Sequence, residues 1–290
     1  MNSSRDNSIS EDSMTSERSS RRSHRQNWLV DAHCHLHERF DLDRALDAAF
    51  ENAGPHGTPV LLLADVPGGS SFAWLDTQPA RRWQFEPLEG GRSRRARHMG
   101  SIAGRPTRRS ADVVLLVAGR QITSTEGLEV LALGCLDPLP SELDVRSLLG
   151  EIQRAGGLAV MPWGFGKWTG RRGRILDDLL REEMSSPFFL GDNGGRFGSG
   201  LPRQFQIAAT RSILILPGSD PLPLRNQEAR VGAYGFKMDP GDLDQPWSSV
   251  QQALQQNDFR PQPRGSRVGF WAFFLQQLSM LLRKHVFGPR

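Results

Sequence analysis

Apolar, strand-like runs alternate with amphipathic segments along most of the chain. The runs are typical of strands buried on both faces and occur at 28–31, 59–64, 112–117, 129–135, 158–161, 188–192, 213–216 and 231–238. Apolar residues at helical spacing lie between or after them, at 42–52, 143–155, 175–183, 207–211, 248–255 and 270–284. About six or seven strand–helix units predict an α/β fold, a TIM-like (β/α) barrel that is complete or irregular. A doubly wound open sheet is the alternative.

The first apolar run ends in Asp31-Ala32-His33-Cys34-His35. Side chains two residues apart in an extended strand point to the same face, so we expect His33 and His35 to lie side by side. Two neutral imidazoles are the beginning of a transition-metal site. A strand whose histidines bind nothing is the alternative. We interpret the pattern as a metal site, either working or decayed, whose other ligands come from elsewhere in the chain.

Three aspartates close later apolar runs and are candidate ligands: Asp65, Asp192 and Asp220. The carboxyl ends of parallel strands meet at one edge, so these side chains could reach the two histidines. Asp220 is the first candidate, either as a ligand or as the catalytic base for a water molecule. Asp192 has an equally simple explanation as a turn residue before Asn and two glycines. His37 is either a partner of the site or solvent-facing. Two imidazoles and one carboxylate would suit a single Zn²⁺, Mn²⁺ or Fe²⁺ ion.

Several motifs together resemble the polymerase-and-histidinol-phosphatase (PHP) family of metal-dependent barrel hydrolases. Asp31–His35 matches the family's opening Asp-x-His-x-His, and Ala64–Val66 stands where its second strand ends in Thr-Asp-His. Gly119–Gly127 resembles a Gly-x-Glu strand and turn, and Gly156–Trp163 resembles the strand that leads into His-Pro. Gly218–Leu222 resembles the final Gly-Ser-Asp-x-His. The resemblance covers, with gaps, residues 28–222 and implies an irregular, seven-stranded PHP-type barrel with phosphoesterase activity.

The departures from the family pattern restrict what the resemblance implies. Val66, Gln121, Met161 and Leu222 occupy positions at which the family has metal ligands. A cluster of two or three metals is therefore not predicted. Two hypotheses stay open: a metal-dependent hydrolase with a mononuclear site, acting on a small phosphoester or amide-type substrate, and a pseudoenzyme without a metal that serves as a binding or scaffolding module.

Lys167 and Trp168 follow the strand at 158–161 and are candidates for substrate binding. Lys167 would attract an anionic substrate, and Trp168 could line a pocket. Packing in the core is the alternative for the tryptophan. An Arg-rich insertion at about 78–110 could clamp an anion at the strand ends, and a solvated loop is its alternative.

Composition changes this picture little. Lys and Arg exceed Asp and Glu by four, and the pI is about 9.6. Because only three of the basic residues are lysines, arginine enrichment is a habit of the whole chain and a weak sign of nucleic-acid binding. A small anionic substrate is the preferred partner, and the oligomeric state is left open.

The ends of the chain differ from the middle. Residues 1–26 are rich in Ser and Arg and are predicted to be a disordered tail, followed by one domain over 27–290. The two cysteines form no disulfide framework, no signal peptide opens the chain, and Val268–Leu282 is too short for a membrane span. We therefore expect a cytoplasmic protein with a docked C-terminal helix.

Overall fold

A computed structural model describes residues 27–55, 57–78, 82–99, 113–140, 142–196 and 200–269. Its strands form two mixed sheets. The larger sheet consists of β1 (Asn27–Cys34), β2 (Gly57–Leu63), β3 (Trp83–Leu88), β4 (Ser93–His98), β5 (Val113–Val117), β11 (Tyr234–Met238) and β12 (Gln262–Gly265). The smaller sheet consists of β6 (Gly119–Thr123), β7 (Glu129–Leu133), β8 (Leu158–Pro162), β9 (Phe188–Asn193) and β10 (Ile215–Gly218). The strand orders are β12-β11-β1-β2-β5-β4-β3 and β10-β9-β8-β7-β6.

Six α-helices connect these strands within the described residues. They are α1 (Leu42–Ala53), α2 (Ser71–Thr77), α3 (Val145–Arg154), α4 (Gly170–Arg181), α5 (Arg203–Thr210) and α6 (Pro246–Leu254), and short 3-10 turns lie at Glu89–Gly91 and Gln227–Arg230. Side-chain capping fixes where some of them begin. The Asp41 carboxylate accepts a hydrogen bond from the Arg44 amide at the start of α1, and Asp144 does the same for two amides of α3.

The core forms three apolar layers. Side chains from both sheets meet between them, including Val30 of β1 and Val160 of β8, and Trp247 of α6 packs into one end of this layer. Helices α1 and α2 cover the outer face of the larger sheet. Helices α3, α4 and α5 cover the outer face of the smaller sheet. Central strands such as β2, β5 and β8 are therefore buried on both faces, which explains their continuous apolar sequences.

The prediction of a TIM-like barrel is wrong, although the fold is α/β. A (β/α) barrel needs every strand to pair with a parallel neighbour around a closed ring. Here β11 and β4 run antiparallel to the strands that they join, and β7 runs antiparallel to both of its neighbours. The chain passes from β5 into β6 through Ala118 and so leaves one sheet for the other. The two sheets stay separate units of seven and five strands.

Isolated contacts join the sheets where β1, β2 and β10 end. The Asp220 amide donates to the His33 carbonyl oxygen over 2.7 Å, and a single parallel bridge pairs Asp65 with Arg120. The carboxyl ends of strands from both sheets therefore lie at one edge of the molecule. The structure thus retains the feature of the predicted fold that positions a site, without closing the barrel.

The described part of the Arg-rich insertion lies only partly at the carboxyl ends of the strands, where Ser93 pairs with Val117 of β5. It forms the antiparallel pair β3 and β4 at the far side of the larger sheet. Strand β4 ends beside Val113, the start of β5, which is the edge opposite to the carboxyl ends. Arg82, near the start of β3, and Arg94 and Arg95 of β4 all form ion pairs with carboxylates. These three guanidinium groups are therefore partnered within the protein.

Some predictions concern residues outside the described ranges. They are the disordered tail at 1–26, the arginines at 105, 108 and 109, and the helix at 270–284. Among the described residues, none of the helices combines the length and apolar character that crossing a membrane requires.

Candidate metal centre

A bulge near the end of β1 positions the two histidines. Asp31 pairs with Leu61 of β2, but Cys34 pairs with Leu63, so β1 contains one residue more than its partner. A bulge of this kind re-aims the side chains around it. The His33 and His35 rings lie edge to face with their centroids 4.9 Å apart, and both are buried. Their Nε2 atoms are 3.0 Å apart. The expected side-by-side arrangement is therefore present.

Asp220 joins the two histidines from the smaller sheet. It follows β10 and has a φ of 46°, in the left-handed region, while its amide donates to the His33 carbonyl oxygen. Strand β10 can approach β1 this closely because Gly218 has no side chain: a Cβ there would lie 2.4 Å from the His33 nitrogen. The Asp220 Oδ1 atom lies 3.6 Å from His33 Nε2 and 3.5 Å from His35 Nε2.

These three atoms fit a single metal ion. A triangle with sides of 3.0, 3.6 and 3.5 Å has a circumscribed radius of about 2.0 Å, so one point can lie about 2.0–2.2 Å from all three atoms. That range covers Zn–N and Zn–O bonds. Among the described residues, they are the group of His, Cys, Asp or Glu side chains that converges in this way. We refer to His33, His35 and Asp220 as the three-ligand cluster.

The protonation states also suit metal binding. Burial lowers the pKa of His33, and burial together with the neighbouring His33 lowers the pKa of His35 to about 4. Burial alone would raise the pKa of Asp220, but the two imidazoles and the Lys167 ammonium hold it below its ordinary value. At neutral pH the cluster therefore offers two neutral imidazoles and one carboxylate, the forms that bind metals.

A second buried carboxyl group supports the cluster from behind. Asp31 accepts hydrogen bonds from the amides of Ser219 (2.8 Å), Gly232 (3.1 Å) and His33 (3.2 Å), and from the Ser219 hydroxyl group. Burial nevertheless raises the pKa of Asp31 to about 7. Asp31 thus ties β1 to Ser219, which follows β10, and to Gly232, which precedes β11. These contacts fix His33 relative to Asp220.

Asn193 is part of the site and was not identified from the sequence. Its Nδ2 atom donates to Asp220 Oδ2 (2.8 Å) and to the Trp163 carbonyl oxygen (2.7 Å). The carboxylate is therefore held with Oδ2 occupied and Oδ1 directed to the histidines. The only sequence signal for Asn193 was its position at the end of an apolar run, and the adjacent Asp192 shares that position.

The structure does not bring Asp192 into the cluster. Successive side chains in a strand point to opposite faces, so Asp192 points away from Asn193. Its carboxylate forms a buried, two-pronged ion pair with Arg196 and accepts a hydrogen bond from the Tyr234 hydroxyl group (2.9 Å). All of its charge is compensated inside the protein, which leaves no oxygen free for a metal.

Asp65 also lies outside the three-ligand cluster. Its carboxylate accepts hydrogen bonds from the Ser71 amide (2.9 Å) and the Ser71 hydroxyl group at the start of α2. His37 lies next to the cluster without joining it. Its ring stacks on His35 with centroids 5.4 Å apart, and its Nε2 hydrogen-bonds to the Pro221 carbonyl oxygen. Neither residue adds a ligand atom to the group.

The two candidate substrate-binding residues, Lys167 and Trp168, have different environments in the structure. Lys167 forms an ion pair with Glu129, and its charge lowers the pKa of both His33 and Asp220, so it acts on the cluster. Trp168 is buried and packs edge to face on Phe205, with centroids 5.6 Å apart. It belongs to the core that covers the smaller sheet rather than to a pocket.

The positions that depart from the PHP pattern have ordinary structural environments. Met161 is fully buried among apolar side chains, and Val66 is 44% exposed. Gln121 lies close enough to His33 that its side chain raises the pKa of that imidazole, partly opposing the effect of burial. These side chains supply no further metal ligand.

Comparison with known proteins finds relatives at the level of structure. No protein-family description and no curated protein sequence matches the chain. PsfC from Pseudomonas syringae PB-5123 is 16% identical with a TM-score of 0.50, over 90% of this chain and 99% of PsfC. The lesion-specific endonuclease PfuEndoQ from Pyrococcus furiosus is 12% identical with a TM-score of 0.45, over 78% of this chain and 55% of that one.

A two-domain protein from Bacteroides vulgatus that contains a predicted PHP-like metal-dependent phosphoesterase is also similar. It is 12% identical with a TM-score of 0.37, over 67% of this chain and 51% of that one. The chain thus matches about half the length of this protein and of the endonuclease, and nearly all of PsfC. The similarity to PsfC concerns the fold.

Proposed function

We propose that this protein is a PHP-type hydrolase with a mononuclear metal centre formed by His33, His35 and Asp220. The observation that carries the proposal is the convergence of their three ligand atoms, with sides of 3.0, 3.6 and 3.5 Å. A small phosphoester is the preferred substrate, and an amide-type substrate is the alternative. Zn²⁺, Mn²⁺ and Fe²⁺ are the candidate ions.

Each residue has a defined part in this proposal. His33 and His35 stay neutral because they are buried, and they present their Nε2 atoms to the ion. Asp220 would supply an anionic oxygen as a ligand, and the role of base for the attacking water is the alternative for this carboxylate. A divalent ion with three protein ligands keeps an open position and supplies Lewis acidity that makes water nucleophilic near neutral pH.

Lys167 is the candidate for attracting an anionic substrate. Its ammonium group acts electrostatically on His33 and Asp220, and its ion pair with Glu129 keeps it near them. A cation that acts electrostatically on the cluster would favour a substrate with a phosphate group over a neutral substrate. A small anionic molecule therefore stays the preferred partner, ahead of nucleic acid.

A pseudoenzyme is the second candidate function. The observation that favours it is the environment of Val66, Gln121 and Met161, which leaves the cluster with three ligands where the PHP pattern has more. In that case the two sheets would serve as a binding or scaffolding module.

Metal content and activity distinguish these two candidates. Purified protein is stripped with a chelator, reloaded with Zn²⁺, Mn²⁺ or Fe²⁺, measured by elemental analysis and tested on a panel of phosphomonoesters and phosphodiesters. We expect one ion per chain and metal-dependent turnover. His33→Ala should lose the ion and at least about 100-fold in turnover, because removal of a ligand leaves two.

The matched control is His98→Gln. His98 packs against Trp83 at the end of β4, at the edge opposite to the cluster. This variant should keep both the ion and the activity. Stoichiometric binding that survives His33→Ala would refute the site, and absence of both binding and turnover would favour the pseudoenzyme.

A further inference from the structure

A cleft of about 310 Å³ opens beside His35. The β1–α1 connection forms one wall, and the end of β2 with the start of α2 forms the other. Its apolar lining consists of Leu36, Ala64, Val66, Trp74 and Pro223. Clefts of this size hold a small organic group rather than a macromolecule.

The charged side chains at the cleft are exposed at the surface or engaged in hydrogen bonds within the protein. Asp65 lines it, but Ser71 holds the Asp65 carboxylate through two hydrogen bonds. Arg39 donates to the Pro223 carbonyl oxygen over 2.6 Å, and Glu38 and Arg39 are both exposed at the surface with opposite charges. The apolar side chains of the wall are the part that favours an uncharged, apolar group, and the indole ring of Trp74 favours a planar one.

The cleft borders the three-ligand cluster at one side chain, His35. The His35 ring lines the cleft while its Nε2 faces His33 Nε2 and Asp220 Oδ1. A molecule whose reacting group lies at the cluster would extend its neighbouring atoms past His35 into the cleft. Val66 lies on the cleft wall with 44% of its surface exposed, so its apolar side chain is accessible to a ligand.

We propose that the cleft binds the aromatic or apolar alcohol portion of a phosphomonoester that is hydrolysed at the cluster. This inference rests on the proposed hydrolase function and adds the substrate class to it. In the reaction, the oxygen of water forms a bond to phosphorus and the bond from phosphorus to the alcohol oxygen breaks. The departing oxygen takes a proton from that water, so the products are inorganic phosphate and the free alcohol.

Two substrates with different alcohols test the proposal. For 4-nitrophenyl phosphate, Trp74→Ala should raise KM about tenfold, whereas for glycerol 2-phosphate KM should change less than about twofold, because the lost contact is apolar. Trp74→Phe should restore most of the affinity for the aryl ester. Equal effects on the two substrates, or none on either, would overturn the proposal.

A second variant avoids the risk of disturbing the fold at Trp74. Val66→Glu places a charge at a partly exposed position on the cleft wall and should reproduce the selective loss of the aryl ester. The matched control is Phe165→Ala, since Phe165 is 62% exposed, follows β8 and does not line the cleft. The control should leave the KM for both esters unchanged. Reproduction of the Val66→Glu effect by Phe165→Ala would count against the cleft.

Binding without turnover separates this proposal from the proposed function. Calorimetry of 4-nitrophenol with metal-free protein should show a dissociation constant that Val66→Glu raises about tenfold. If this holds while no phosphoester is hydrolysed, the cleft is supported and the hydrolase function fails. If aryl esters are hydrolysed equally by wild type and both cleft variants, the cleft assignment fails and the hydrolase function stands.

Discussion

Two aspartates at the ends of neighbouring strands show how the same residue type acquires different roles. Asp192 belongs to β9, and Asp220 follows β10. Asp192 is compensated completely by Arg196 and Tyr234. Asp220 has one oxygen held by Asn193 and the other directed to two neutral imidazoles.

The difference lies in where the compensating charge comes from. Arg196 neutralises Asp192 within the protein, so that site is complete and contributes to the fold. Among the described residues, Asp220 forms no ion pair with a Lys or Arg side chain: its neighbours are Asn193 and two imidazoles that carry no charge at neutral pH, since burial lowers the pKa of both histidines. Lys167 acts on Asp220 only from farther away and is itself paired with Glu129. A buried carboxylate in this situation is stabilised by a cation from outside, which is the physical reason to expect a metal at one site and none at the other.

The largest effects are expected when each aspartate is replaced by asparagine: Asp192→Asn should change the free energy of unfolding, and Asp220→Asn should change metal binding. Asp192→Asn leaves Arg196 buried without its partner and should lower the free energy of unfolding by about 3–5 kcal/mol, with unchanged metal stoichiometry. Asp220→Asn should abolish stoichiometric metal binding while the metal-free protein changes by less than about 1 kcal/mol, because Asn193 can still hydrogen-bond to the amide oxygen. Denaturant titration and elemental analysis measure the two quantities.

The two variants serve as each other's control. If Asp192→Asn lost the metal and kept its stability, or if both variants behaved alike, the assignment of one aspartate to the fold and the other to the metal would be wrong.

An intermediate effect is expected when the support of Asp220 is removed. Asn193→Ala deletes the donor to Asp220 Oδ2 and frees the carboxylate to rotate, so metal affinity should fall about 10–100-fold. Competition with a chromophoric chelator measures this affinity. Asn193→Asp replaces the amide donor by a carboxylate that cannot donate, so it should remove this hydrogen bond as well. Unchanged affinity in both variants would show that Asn193 does not position Asp220.

The smallest effect concerns the pH dependence of metal-free protein. The pKa of His35 falls from 6.5 to about 4 on burial, so between these values the unfolded chain takes up a proton that the folded chain does not. Stability should therefore decrease as the pH falls from 6.5 to 4. His35→Gln should remove on the order of 1–3 kcal/mol of that decrease.

Asp31 provides a comparison of opposite sign. Its pKa is raised to about 7, so the folded chain takes up the proton first, and this group contributes stability at low pH that is lost as the pH rises through 7. Asp31→Asn should therefore steepen the loss of stability in acid. Unfolding curves at several pH values measure both slopes, and parallel curves for wild type and His35→Gln would contradict a neutral buried His35.

Much of the local structure follows directly from the sequence. The apolar runs at 59–64 and 158–161 become β2 and β8, and the helical pattern at 42–52 becomes α1. The prediction that His33, His35 and Asp220 belong together rests on strand ends that meet at one edge, and their ligand atoms do converge. Strand periodicity and strand-end position are local properties, so they can be predicted from the residues themselves.

Other features depend on contacts between distant segments. The choice between a closed barrel and two sheets depends on strand direction, and an apolar run such as 234–238 has the same sequence pattern whether it pairs parallel or antiparallel. Trp168 could have lined a pocket, but α5 brings Phe205 against it. The inclusion of Asn193 and the exclusion of Asp192 depend on which face of β9 is directed to Asp220.

The sequence by itself determined the donors: two imidazoles two residues apart and a set of aspartates that close apolar strands. The tertiary structure decided which aspartate is available to a metal. Arg196 and Tyr234 reach Asp192 on one face of β9, and Ser71 reaches Asp65. Asp220 alone among the three candidates keeps an oxygen directed to His33 and His35, because the absence of a side chain at Gly218 lets β10 approach β1.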